Sequence, residues 1–199
     1  MSDLPKVLII GDSISIGYTP FVEQAFEGRA IIERNEGNAS STEVGLEKLD
    51  QWLGDTQWDV IHFNWGLHDM KYINADREMV GVSDGRQWVK VERYADNLFK
   101  LVTRLKKTGA QLIFATTTPV PIGVNGRVPG DHVRYNEAAL AVMMGGGVRV
   151  NDLCAHIEDD RRAKGGKVAD VHYTGEGYEY LSRAVIHHIK NALHDVPAR

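Results

Sequence analysis

Val7-Leu8-Ile9-Ile10-Gly11-Asp12-Ser13 is the stretch that decides how the chain folds. Its first four residues are apolar, and so short a run before a turn signal predicts a buried β-strand. Gly11 permits a sharp turn at the carboxyl end of that strand. Open α/β sheets bind ligands at this end of their strands, so Ser13 is a candidate nucleophile. Asp and Ser also favour a helix start, which is the plainer interpretation of the same residues.

Short strands alternate with helices along the rest of the chain. Further strands are predicted at 30–32, 59–65, 111–116 and 147–153, and helices at 18–28, 44–52, 94–105, 135–144 and from near 175. This alternation favours a five-stranded parallel sheet covered on both faces, a three-layer α/β/α fold. We expect a single domain over residues 1–199. The long polar connections 70–92 and 117–131 are of a length typical of functional or mobile loops.

The composition excludes several classes of protein. The chain has 199 residues, of which 43% are hydrophobic and 25% charged, as in a globular domain. A formal net charge of −4 without a long basic cluster makes nucleic acid an unexpected partner. No apolar run approaches the length of a membrane span, so no membrane partner is expected. The single Cys154 excludes an intrachain disulfide and a Cys-rich metal site.

The first residues, 1–5, lack the charged and apolar regions of a signal peptide. This is typical of a cytoplasmic protein, but a secreted or periplasmic protein begins in the same way once its signal peptide has been removed. The sequence does not indicate an oligomeric state.

A serine nucleophile needs a base, and the base needs a partner that orients it. His172 is the best candidate for the base because it precedes the last predicted helix, and Asp170 lies two residues before it. The alternative is that His172 caps this helix while Asp170 is solvated. The oxyanion also needs donors. These could be the Ser13 N–H, an N–H within 37–40 and the side chain of His68, although His68 could equally be a buried histidine within a turn.

These three blocks together resemble the SGNH (GDSL-type) hydrolases. Gly11-Asp12-Ser13, Gly66-x-His68-Asp69 and Asp170-x-His172 follow the order and spacing of that family over essentially the whole chain. The resemblance implies a flavodoxin-like sheet and ester hydrolysis without a metal or other cofactor. It implies that Ser13 is the nucleophile, His172 the base and Asp170 the acid, with Ser13, Ser40 and His68 forming the oxyanion hole.

The chain departs from the family pattern at three positions. His68 stands where the family has Asn, and an imidazole there would donate with a dependence on pH. Ser40 stands where the family has Gly, although its backbone N–H is retained. The family acid commonly lies three residues before the His, where this chain has Ala169, so Asp170 is one position closer.

Residues beside the blocks are the candidates for substrate contacts. Aromatic side chains suit sugar rings and acyl chains alike, and an arginine suits a carboxylate or a sugar hydroxyl. The candidates are Asp12, Asn38, Trp65, Asp69, Arg134 and Tyr173. Because the loops are polar, we expect removal of a short acyl group, such as acetyl, from a carbohydrate or another polar alcohol. The alternatives are a thioesterase or lysophospholipase, and a catalytically weak carbohydrate-binding relative.

Two other motifs compete with this interpretation. Gly81-Val82-Ser83-Asp84-Gly85 matches the G-x-S-x-G elbow, but no buried strand precedes it, so a flexible turn is expected. The pair His187-His188 lies on the last predicted helix without a carboxylate at metal-binding spacing, so a solvated or packed pair is expected.

Overall fold

A parallel sheet lies at the centre of the computed structural model, which describes residues 4–158 and 161–196. The strands are β1 (Lys6–Ile10), β2 (Ile31–Arg34), β3 (Val60–Phe63), β4 (Tyr72–Ile73), β5 (Arg86–Gln87), β6 (Gln111–Ala115) and β7 (Arg149–Asn151). The helices are α1 (Ser13–Phe26), α2 (Thr42–Leu53), α3 (Val91–Lys106), α4 (His132–Gly146), α5 (Leu153–Glu158) and α6 (Gly175–His194).

The five-stranded sheet has the order β2-β1-β3-β6-β7, and all its neighbouring strands are parallel. Val7, Ile9 and Ile10 of β1 have no exposed surface, as expected for a strand covered on both faces. From β1 the chain continues to β2, which pairs with one edge of β1, and β3 later pairs with the other edge of β1. The carboxyl ends of β1 and β3 therefore flank a topological switch point, where sheets of this order bind ligands.

The helices form the two outer layers. The first helix, α1, packs against α6, while α3 packs against both α2 and α4. The predicted three-layer fold with a flavodoxin-like sheet is confirmed, whereas one domain over residues 1–199 stays a prediction. No helix in the described part of the chain is both long and apolar enough to cross a membrane.

Two local expectations need correction at the first block. The first helix begins at Ser13, five residues before the predicted start, because the Asp12 side chain caps it by accepting from the Ile14 N–H at 3.0 Å. Gly11 does not adopt a positive φ. A Cβ at Gly11 would lie 2.5 Å from Asn64 Oδ1, so close packing rather than turn geometry requires the glycine.

Other segments differ from the sequence analysis in smaller ways. The short helix α5 was not predicted, and part of the 70–92 connection forms the antiparallel pair β4–β5. Ser83 lies in an exposed 3₁₀ turn and donates to the Asp84 carboxylate, so the expected turn is confirmed. His187 Nε2 accepts from the Asn191 side-chain amide at 3.0 Å on the surface of α6, in keeping with a solvated pair. Residues 1–3, part of the segment 1–5 that was compared with a signal peptide, lie outside the described residues.

Candidate active site

Three side chains from distant parts of the chain form a continuous hydrogen-bonded series. Ser13 Oγ lies 2.9 Å from His172 Nε2, and His172 Nδ1 lies 2.6 Å from Asp170 Oδ1. Because Nδ1 faces a carboxylate, that nitrogen carries the proton and leaves Nε2 to accept from the Ser13 hydroxyl. The structure therefore places all three sequence-predicted catalytic residues in the geometry of a nucleophile, a base and an orienting acid.

Ser13 occupies the first turn of α1 at the switch point of the sheet. Its backbone N–H has no hydrogen-bond partner among residues 4–158 and 161–196. The N–H groups at a helix N-terminus carry partial positive charge and attract anions. The Ser13 N–H is thus available to an oxyanion that forms next to its own side chain.

The segment that carries the acid and the base is held by backbone contacts. The Asp170 carboxylate also accepts from the backbone N–H of His172 at 3.1 Å. Arg161 donates to the carbonyl oxygens of Asp170 at 2.6 Å and of His172 at 3.1 Å, and Lys167 N–H donates to the latter at 3.0 Å. These bonds fix the direction in which both side chains leave the segment.

Asp170 is ionised in this setting. Partial burial opposes its ionisation, but the hydrogen bonds from His172 and the charge of Lys167 outweigh burial and lower the pKa of the carboxyl. Ala169, which stands at the usual position of the family acid, adopts a left-handed backbone with φ of 49°. The changed spacing is therefore accommodated by the backbone, and Asp170 still reaches His172.

The loop that carries Ser40 does not present its backbone N–H freely. Ser40 has a φ of 54°, in the region that favours the glycine found in the family. Its backbone N–H donates to the Asn38 side chain at 2.8 Å. The expectation of a free Ser40 donor is corrected, because Asn38 Oδ1 already occupies this N–H. Ser40 Oγ instead lies 3.4 Å from His68 Nδ1.

His68 faces the same pocket as Ser13. Burial, together with the charges of Lys71 and Arg127, lowers the pKa of the imidazole to about 3. His68 is therefore neutral at ordinary pH, and the expected pH dependence of its donor is wrong. If its Nδ1 accepts from Ser40, the proton lies on Nε2.

Glycine is required at the start of the Gly66-x-His68-Asp69 block. Gly66 has a φ of 150°, and a Cβ there would overlap the Thr117 hydroxyl. That hydroxyl donates to the Trp65 carbonyl at 3.2 Å, as does Tyr94 at 2.8 Å. The turn that presents His68 is thus fixed by its packing against Thr117, in the connection that follows β6.

The triad opens into a cavity of about 480 Å³, which is within the usual range for small-molecule sites. The long connections form its walls. The lining residues outside the triad are Asn38, Leu67, His68, Lys71, Met79, Val124, Asn125, Arg127, Ala169 and Val171. The sequence analysis pointed to the two connections but missed Lys71 and Arg127, since neither lies in a recognisable motif. Asn38 lines the pocket as expected.

Three of the predicted substrate contacts are buried framework residues. Trp65 has no exposed surface and donates its indole N–H to the Ala39 carbonyl at 3.2 Å. Asp69 is also fully buried and accepts from the Thr42 N–H at 2.9 Å and hydroxyl at 2.6 Å. Asp12 is the buried cap of α1, and burial raises the pKa of its carboxyl. Their expected contact with substrate is wrong.

The other two candidates also lie outside the cavity lining. Tyr173 is 1% exposed, and its ring stacks under the guanidinium of Arg161 at 4.7 Å. Arg134 lies on α4 and pairs with Asp131 one turn earlier. Aromatic and charged residues next to the blocks therefore support the site without lining it.

One group of potential metal ligands is present within the described ranges. His132, Cys154 and Glu158 have ligand atoms within 4.8 Å of one another, but none of them lines the triad pocket. His132 Nδ1 accepts from the Val120 N–H at 3.1 Å. Burial and two nearby carboxylates raise the pKa of the Cys154 thiol to about 12, so the thiol is protonated in the structure as it stands.

Comparison with known proteins gives one partial match in sequence. No known protein-family profile matches the chain. A segment of 65 residues, 33% of the chain, is 37% identical to a GDSL esterase/lipase of Arabidopsis thaliana and spans 27% of that protein.

Solved structures match over nearly the whole chain. A lipase/acylhydrolase from Enterococcus faecalis has a TM-score of 0.78 at 18% identity, covering 98% of this chain and 99% of that one. An acetyl xylan esterase from Geobacillus stearothermophilus has a TM-score of 0.74 at 17% identity, covering 95% and 96%. The acetyl xylan esterase AlAXEase has a TM-score of 0.71 at 13% identity, covering 92% and 99%. The chain therefore has the fold of the SGNH, or GDSL-type, hydrolases, as the resemblance of its sequence blocks implies.

Proposed function

We propose that the protein is a metal-independent serine ester hydrolase that works through an acyl-enzyme. The observation that carries this proposal is the Ser13–His172–Asp170 series at the mouth of a pocket, with distances of 2.9 and 2.6 Å. A nucleophile, base and orienting acid in this geometry are the parts that acyl transfer needs.

The first half-reaction forms the acyl-enzyme. Ser13 Oγ attacks the ester carbonyl carbon while His172 Nε2 takes the hydroxyl proton. The carbonyl oxygen becomes an oxyanion, which the Ser13 N–H and the neutral His68 ring stabilise. The intermediate then collapses, the bond to the alcohol oxygen breaks, and the imidazolium of His172 gives its proton to that oxygen.

Water repeats the sequence on the acyl group. His172 removes a proton from water as the water oxygen attacks the acyl carbon. The bond to Ser13 Oγ then breaks, the proton returns to that oxygen, and the carboxylic acid leaves. Asp170 remains ionised throughout and stabilises the imidazolium in both halves.

The preferred substrate is a short acyl ester, such as an acetyl ester, of a carbohydrate or another polar alcohol. Two similar structures are those of acetyl xylan esterases, which supports this choice. A thioesterase or lysophospholipase is the second candidate, because Leu67, Met79, Val124 and Val171 give part of the pocket an apolar lining. A series of 4-nitrophenyl esters of increasing acyl length separates the two by where kcat/KM is highest.

Covalent labelling tests the proposal directly. A fluorophosphonate probe should add to Ser13, and Ser13→Ala should lose the label and at least about 10³-fold in kcat on 4-nitrophenyl acetate. Ser83→Ala is the matched control, because Ser83 lies in the competing G-x-S-x-G motif on an exposed turn. Full activity of Ser13→Ala would refute the proposal, and binding of acetylated sugars without an adduct would favour a carbohydrate-binding relative.

A further inference from the structure

We infer that the ester cleaved at Ser13 carries an anionic group, which binds between Arg127 and Lys71 on the pocket wall. This inference rests on the proposed hydrolase function and specifies its substrate class. Both cations line the same cavity as Ser13 and His172, although the chain as a whole has a net charge of −4.

Arg127 is a buried cation without a paired carboxylate. Its side chain is anchored by Nε, which donates to the Leu67 carbonyl at 2.8 Å, and one terminal nitrogen lies 3.8 Å from Met79 Sδ. The residue is 8% exposed. Across the part of the chain that the structure describes, no carboxylate lies within 4 Å of its guanidinium. Its anchoring leaves terminal N–H donors for a ligand.

Lys71 adds a second charge to the same wall. Its ammonium lies over the Trp88 ring, 4.4 Å from the centroid, and it likewise has no ion pair with any described carboxylate. Burial and the charge of Arg127 lower the pKa of Lys71. Arg127 and Lys71 are therefore like charges on one wall of the cavity.

The acidic groups near this wall are committed elsewhere. Asp170 is bonded to His172, and Asp12 caps α1 beneath the pocket. The carboxylates of Asp12 and Asp170 favour the charged form of Arg127, but burial has the larger effect and lowers the pKa of the guanidinium. Two desolvated like charges on one surface are unfavourable unless an anion joins them. A guanidinium also binds carboxylate and phosphate oxygens in two parallel hydrogen bonds.

The anion could belong to the acyl part or to the alcohol part of the ester, and two matched substrate pairs distinguish these. For the acyl side, 4-nitrophenyl hemisuccinate is compared with 4-nitrophenyl pentanoate. For the alcohol side, 4-acetoxybenzoate is compared with 4-acetoxybenzamide. The ratio of kcat/KM within a pair is the readout, because it does not depend on the fraction of active enzyme.

We expect the anionic member of one pair to be preferred at least tenfold, with a preference that shrinks as salt is added. In Lys71→Met and in Arg127→Lys the ratio should fall by at least threefold. Lys100→Met, which removes an exposed charge on α3 outside the pocket, should keep the wild-type ratio.

Two results would overturn the inference while leaving the hydrolase intact. One is equal or better cleavage of the neutral member in both pairs, and the other is an anionic preference that both pocket variants retain. The proposed function itself fails differently, with none of the four esters cleaved and no fluorophosphonate adduct at Ser13. If Arg127→Lys does not fold, the kcat/KM ratio of Lys71→Met alone decides whether the anionic preference depends on the pocket cations.

Discussion

His68 shows how one substituted residue changes the chemistry available to a site. A side-chain amide donates a hydrogen bond at any pH, whereas an imidazole does so according to its charge and tautomer. Burial and neighbouring cations lower the pKa of His68 to about 3, so the ring stays neutral between pH 5 and 9. The ring can therefore replace an amide as a constant donor.

The first prediction concerns His68 variants. His68→Ala should lower kcat on 4-nitrophenyl acetate by roughly 10²–10³-fold, the cost of one oxyanion donor. His68→Asn should recover most of that loss, because the amide supplies the donor that the family uses. The shape of the pH–rate profile from pH 5 to 9 should be the same in wild type and His68→Asn. A titration that disappears in His68→Asn would contradict the neutral-donor assignment.

At the scale of elements, the segment before α6 depends on a single arginine. Arg161 donates to the Lys167 carbonyl at 2.9 Å as well as to the carbonyls of Asp170 and His172, and its guanidinium stacks on Tyr173. A lysine cannot replace this fork, because its ammonium is a single point with three donors. We therefore expect Arg161 to position Asp170 and His172, the proposed acid and base.

The second prediction follows from that contact set. Arg161→Met should lower kcat by at least about tenfold with a smaller change in KM, since misplaced catalytic groups affect the chemical step. Fluorophosphonate labelling of Ser13 should slow in parallel, because the serine loses its aligned base. Arg183→Met removes an exposed arginine of α6 that pairs with Glu179 and lies over the Tyr180 ring, without bonds to the 167–172 segment in the described structure, and should behave as wild type. Equal effects of the two substitutions would argue against positioning.

The elements and the triad could be predicted because their signals are local. The apolar runs of β1 and β3 and the blocks that follow them are each contiguous in sequence. The start of α1 was predicted five residues late, since Ser13 to Gly17 contain poor helix formers and only the Asp12 cap decides the start.

The pocket wall could not be predicted in the same way. Lys71 and Arg127 lie in separate connections, which are joined by the Tyr72 N–H donating to the Gly126 carbonyl at 2.7 Å. No periodic pattern marks such a contact between irregular segments. Trp65 and Asp69 were misassigned for the opposite reason, because proximity to a motif does not tell whether a side chain faces the cavity or the core.

At the scale of the whole molecule, Asp69 joins parts of the framework. Its carboxylate binds the start of α2 through Thr42, whose hydroxyl also accepts from Asn97 of α3 at 3.0 Å. Its carbonyl accepts from the Val89 N–H at 2.9 Å. Burial raises the pKa of this carboxyl to about 7, although the bonds from Thr42 act in the opposite direction.

The third prediction is a pH dependence of stability. Between about pH 4 and 7 the folded chain keeps a proton on Asp69 that the unfolded chain has released, so the free energy of unfolding decreases as pH rises. Asp69→Asn should reduce this decrease by at least about 1 kcal/mol, measured by urea unfolding at pH 5 and pH 8. The exposed Asp55→Asn serves as the control. An unchanged difference between the two pH values in Asp69→Asn would contradict the raised pKa.

The packing of α1 against α6 has a consequence for synthesis of the protein. Ser13, the proposed nucleophile, is translated 159 positions before His172, its proposed base. A nascent chain that ends before residue 172 carries the serine without the imidazole that faces it in the folded structure. The hydrogen bond between Ser13 and His172 can therefore form only after residue 172 has been translated and its segment has folded onto the start of α1.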